Sequence, residues 1–140
     1  MILHFNYEEL TALKSGARTF LAREEEGHSR VLAPPAERAR VEALVPRLEG
    51  DLSVPTLAEL STVRSAVEAI VECLRVEMES VVVATHAADE QAVAAYFDFA
   101  HGLTVAHRLE EMASEMEAMI ELVTGEPPTP ATSRSFHFPD

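Results

Sequence analysis

From Asp89 to Thr124 the chain runs for 36 residues without a proline or a turn cluster, and Gly102 is its one weak point for a helix. A helix of that length spans about 54 Å at 1.5 Å per residue. In its second half Leu109, Met112, Met116, Met119 and Val123 recur at alternating spacings of three and four, which keeps all five on one stripe. In its first half Val93, Tyr96, Phe97, Phe99, Ala100 and Leu103 spread over a much wider arc. The pattern predicts a central helix covered on several sides, so Val93, Phe97 and Leu103 facing water would count against it.

Three shorter helices can be placed around this one. Asn6 with Glu9 forms a capping-box pattern opening a helix to about Glu26, with Leu10, Leu13, Ala17, Phe20 and Leu21 on its inner face and Gly27 as its stop. Pro34-Pro35 launches a second helix, whose apolar side is Val41, Leu44, Val45 and Leu48. Pro46 removes a donor and clashes one turn back, so this helix must end or kink near Leu44. Thr56 with Glu59 opens a third, running to about Ala84 or broken near Ser61-Thr62, with the stripe Val63, Val67, Ile70, Leu74 and Val81. Arg64, Glu68, Glu72, Arg75 and Glu79 read as its solvated, ion-paired face. Ile2–Phe5 and Leu52–Val54 are extended and suited to pair as short strands. A turn near Ala87-Ala88 makes the third and fourth helices an antiparallel hairpin. The expected fold is all-α: a four-helix arrangement built on that hairpin, with minor β pairing of the termini, in one domain over residues 1–125.

The composition narrows function by exclusion. A net charge of −13 disfavours nucleic acid and anionic membranes, both of which call for a basic surface. No apolar run approaches the roughly 18 residues of a membrane span. The single cysteine, Cys73, rules out an internal disulfide and sits on an apolar helix stretch, where a small buried hydrophobe is the simpler reading. With an N-terminus that lacks a basic signal region, these features predict a cytoplasmic protein.

One constellation carries possible chemistry. In an antiparallel hairpin turning at Ala87-Ala88, facing residue numbers sum to about 175. Glu77, which lies within the apolar stripe of the third helix, then faces Asp98, and Leu74 faces His101. Two carboxylates and an imidazole at that junction are suited to a divalent metal or a general base. The structural alternative is a polar edge with satisfied ion pairs. A di-iron carboxylate bundle needs more: Asp98-His101 is the only clean pair at i, i+3, since Gly27 interrupts Glu25-His28.

Beyond Gly125, the segment Pro127 to Ser135 has little to bury and should be flexible, whereas Phe136 and Phe138 form an aromatic docking segment. Their alternation matches Leu3-His4-Phe5, so a strand pair with the N-terminus is the simplest docking site. With no complete catalytic set, no cofactor is expected. The chain reads as a non-enzymatic interaction or assembly module, self-associating or bound to a protein partner. Leu109, Met112, Met116, Met119, Val123, Phe136 and Phe138 are its expected contact residues. The alternative is a metal-binding bundle or metal-dependent enzyme using Glu77, Asp98 and His101.

Overall fold

The computed structural model describes residues 1–26, 35–85 and 90–125. Among these residues four helices pack together: α1 (Tyr7–Glu26), α2 (Pro35–Leu44), α3 (Leu57–Thr85) and α4 (Glu90–Thr124). Two short strands, β1 (Ile2–Leu3) and β2 (Leu52–Ser53), pair antiparallel with Ile2 opposite Ser53 and Leu3 opposite Leu52. The fold is all-α, as the periodicities predict.

Local chemistry sets the helix limits. At the start of α1 the Glu9 N–H donates to Asn6 Oδ1 at 2.7 Å and the Asn6 N–H donates to Glu9 Oε1 at 3.0 Å, a reciprocal capping box. The Glu59 N–H donates to Thr56 Oγ1 at 3.1 Å at the start of α3. Pro46 acts as expected: α2 stops at Leu44 and the chain tightens into a 3-10 turn over Val45–Arg47, closed by the Leu48 N–H on the Val45 carbonyl. α3 runs unbroken through Ser61-Thr62, where the Thr62 hydroxyl donates back to the Ala58 carbonyl within the helix.

α3 and α4 form an antiparallel pair at the core. Gly102 of α4 lies against Leu74 and Val71 of α3, bracketing the register that the sequence predicts. α1 packs on the other side of Leu74 through Gly16, so close that a methyl group there would come within 2.7 Å of Ile70 Cγ2 and 2.9 Å of Leu74 Cγ. Leu74 is therefore wedged between glycines of two different helices. The same buried core includes Leu13, Ala17, Phe20, Val67, Ile70, Val105 and Leu109, together with Val41 and Leu44 of α2 and Leu48 just beyond it.

Two expectations need correction. The first half of α4 is not covered on several sides: Val93, Tyr96 and Phe97 are more than half exposed, and Leu103 only partly buried. The helix instead buries a narrow strip of Ala92, Gly102, Val105, Ala106, Leu109 and Ala113. Small residues let the partner helices approach, and the aromatics are left on the outer side. The charged side of α3 is also not uniformly solvated. Arg64 is only 4% exposed, and Glu68 is half-buried. The residues expected to form the Gly27 stop, the turn at Ala87-Ala88 and the tail from residue 126 lie outside the described residues.

Candidate functional site

Three places on the fold gather polar or apolar chemistry. The first is a cleft of about 350 Å³ where α1, α3 and α4 meet, with Ser15, Thr19, Cys73, Glu77, Gln91 and Asp98 among its walls. Its size is at the low end for small-molecule sites. The hairpin register brings Glu77 and Asp98 to this one cleft, as the sequence predicts. His101 is not in its walls; its ring stacks on Phe97 with centroids 6.4 Å apart. Arg23 reaches across from α1 to pair with Glu77 and places Nη1 4.0 Å from Cys73 Sγ. Glu77 thus has its counter-charge from a residue that sequence spacing gives no reason to place there.

The titration of the cleft follows from burial. Desolvation raises the Asp98 carboxyl above its usual range, with the neighbouring His101 acting the other way. Burial also pushes the Cys73 thiol up, against the pull of Arg23, which disfavours the thiolate. Among the described residues no group of three or more His, Cys, Asp or Glu side chains is placed to hold a metal ion. Glu77, Asp98 and His101 are not assembled into a ligand set.

The second place is a groove of about 660 Å³ between the N-terminal strand and α4, bordered by Ile2, His4, Phe5, Arg108, Met112 and Glu115. Met1 exchanges both backbone bonds with Val54, so the alternate residues Ile2 and His4 turn their backbone groups away from β2 toward this groove. Arg108 anchors the region. Its guanidinium donates to the His4 carbonyl at 2.8 Å and grips both oxygens of Glu9, at 2.7 and 3.1 Å. Burial alone would raise the Glu9 carboxyl. The Arg108 hydrogen bonds, the Asn6 N–H and the charges of Arg108 and His101 outweigh it and hold the carboxyl below its usual range.

The third is the outer surface of α4. Of the expected contact stripe, Leu109 is wholly buried within this chain, and Met112 and Met116 pack against the core. Those three serve the fold. Met119 and Val123 stand in water, joined by Leu122, so that exposed apolar side chains occur at both ends of α4: Val93, Tyr96 and Phe97 near the hairpin end, Met119, Leu122 and Val123 near the other. Tyr96 and Phe97 meet edge to face, with ring centroids 5.8 Å apart. Sequence reasoning missed the hairpin-end cluster because it placed these residues in the core. Phe136 and Phe138, the remaining expected contacts, lie outside the described residues.

Among the described residues no helix is long and apolar enough to cross a membrane. Compared with known proteins, the chain matches no family model, no curated protein and no solved structure.

Proposed function

We propose that this chain is a non-enzymatic interaction module that associates with copies of itself through the outer surface of α4. The observation that carries the proposal is the exposure of six large apolar side chains on that one helix, between 51 and 85% each. Single exposed apolar residues are ordinary on a protein surface, whereas clusters that include a paired Tyr and Phe are characteristic of interface cores. The polar cleft gives no competing support for catalysis. Its Glu77 carboxylate is paired with Arg23, and burial favours the protonated form of its thiol.

Sedimentation velocity across a wide concentration range tests this reading. The expected result is a concentration-dependent dimer or higher oligomer. A monomer at every concentration, with the helical signal intact, would remove the support for self-association.

A further inference from the structure

The two exposed clusters on α4 mirror each other about the middle of the helix. Residues equally far from the two ends have numbers that sum to about 215, which pairs Val93 with Leu122, Tyr96 with Met119, and Phe97 with Ala118. At 100° per residue, Val93, Phe97, Ala118 and Leu122 fall within an arc of about 60°, with Tyr96 and Met119 flanking it. The same side continues through Ala100, which is half-buried, and through Thr104 and Glu111, which are exposed.

From this symmetry we infer that α4 pairs with α4 of a second copy, antiparallel and about a two-fold axis. Val93, Tyr96 and Phe97 of each copy then cover Ala118, Met119 and Leu122 of the other. The inference rests on the self-association proposed above and specifies its geometry.

Charge favours this orientation over the parallel one. The C-terminal half of α4 carries Glu110, Glu111, Glu115, Glu117 and Glu121, whereas its N-terminal half carries Glu90, Asp98 and His101, with His107 and Arg108 at the middle of the helix. Parallel pairing would set five glutamates against five. Antiparallel pairing sets each run of five glutamates against residues 94–105 of the other copy, where Asp98 and His101 are the only acidic and basic side chains, and it also opposes the two helix dipoles. The available area is sufficient in scale. The five large side chains of that contact, each leaving on the order of 100 Å² in water, amount to roughly 500 Å² per copy before Ala118 is counted, against about 800 Å² per partner in a standard interface. Such a contact is isologous, so it closes at two copies.

Cysteine cross-linking reads the register directly. In a Cys73→Ala background checked for helical content, the Phe97→Cys and Ala118→Cys chains are prepared separately, mixed and oxidised. The expected product is a disulfide-linked heterodimer in the mixture, with little self-linked product from either chain alone. A Phe97→Cys chain that links to itself instead would overturn the antiparallel register while leaving self-association standing. Independently, Phe97→Glu without any added cysteine is expected to weaken the dimer by about tenfold or more in sedimentation. A dimer that is unaffected by Phe97→Glu and forms no mixed disulfide would overturn this interface alone. A strictly monomeric wild-type chain would overturn both the interface and the self-association on which it rests.

Discussion

Arg64 and Glu68 lie one turn apart on α3, and in isolation they would be a solvated ion pair worth a few tenths of a kcal/mol. Packing changes their chemistry. Burial is the main influence on Glu68 and raises its carboxyl to about 7. Arg64 works in the opposite direction, and Glu37 of α2 and Glu110 of α4 add like charge that reinforces the rise. Burial likewise lowers Arg64 from its usual value, against the attraction of Glu68, Glu110 and Glu117. One guanidinium thus attracts carboxylates from both α3 and α4. The raised folded-state value fixes the sign of the pH effect. The contribution is fully present below the unfolded value of 4.5, and it is lost as pH rises toward and through about 7. After allowing for solvent screening of a half-buried group, the loss should be about 1–2 kcal/mol. Glu68→Gln is therefore expected to unfold at a higher temperature than the wild type above pH 7, with the difference vanishing below about pH 4.5. The depressed carboxyls of Glu9 and Glu72 lose their contributions only as pH falls, so they do not mask this window. Thermal melts of both proteins across that range provide the check, and equal melting temperatures at high pH would refute it.

Among the elements, the tightest junction is where Leu74 of α3 is held between Gly16 of α1 and Gly102 of α4. The two glycines should respond differently to the same substitution. In a helix interior Gly→Ala stabilises by about 1 kcal/mol through propensity alone. At Gly16 the new methyl would lie 2.7 Å from Ile70 Cγ2 and 2.9 Å from Leu74 Cγ, branch atoms close to the α3 backbone that cannot swing away freely. Gly16→Ala is expected to cost about 1–3 kcal/mol net. At Gly102 the nearest atom is Leu74 Cδ1 at 3.0 Å, the far end of a flexible side chain, so Gly102→Ala should be within about 1 kcal/mol of neutral. Urea denaturation that ranked Gly102→Ala as the worse of the two would contradict this packing. The same junction shows what the sequence reveals. Caps, the Pro46 stop and the apolar stripe of α3 are local signals, and they placed the helices and the hairpin register. The inner face of α4 was not legible, because it is built from Gly102, Ala106 and Ala113, whose burial depends on close approach rather than on bulk. Hydrophobic size points instead to Val93, Tyr96 and Phe97, which face outward. The Arg23–Glu77 and Glu9–Arg108 pairs were hidden for the same reason. Each joins residues more than fifty positions apart, and no spacing rule connects them.

At the scale of the whole molecule, the C-terminal segment is expected to meet the N-terminal groove. The sequence expects Phe136 and Phe138 to dock beside Leu3-His4-Phe5, and the described residues provide a place of suitable form. The groove has apolar walls in Ile2, Phe5 and Met112, and outward-turned backbone groups at Ile2 and His4, with Arg108 already donating to the His4 carbonyl. It also carries Glu115, a charge that Arg134 of the tail is suited to meet. The reach is adequate. Met112 and Glu115 lie about 15–20 Å back along α4 from Gly125. Eleven residues from Gly125 to Phe136 span about 34 Å even at the polyproline rise expected near Pro127, Pro128 and Pro130. Deleting residues 126–140 should therefore expose the groove and lower the melting temperature, and Phe136→Ala with Phe138→Ala should reproduce most of that loss. The dimer proposed through α4 should survive both changes, because its contacts end at Leu122. If deletion leaves the melting temperature unchanged but abolishes the oligomer, the tail binds the other copy instead. If it alters neither property, the groove is not the tail's docking site.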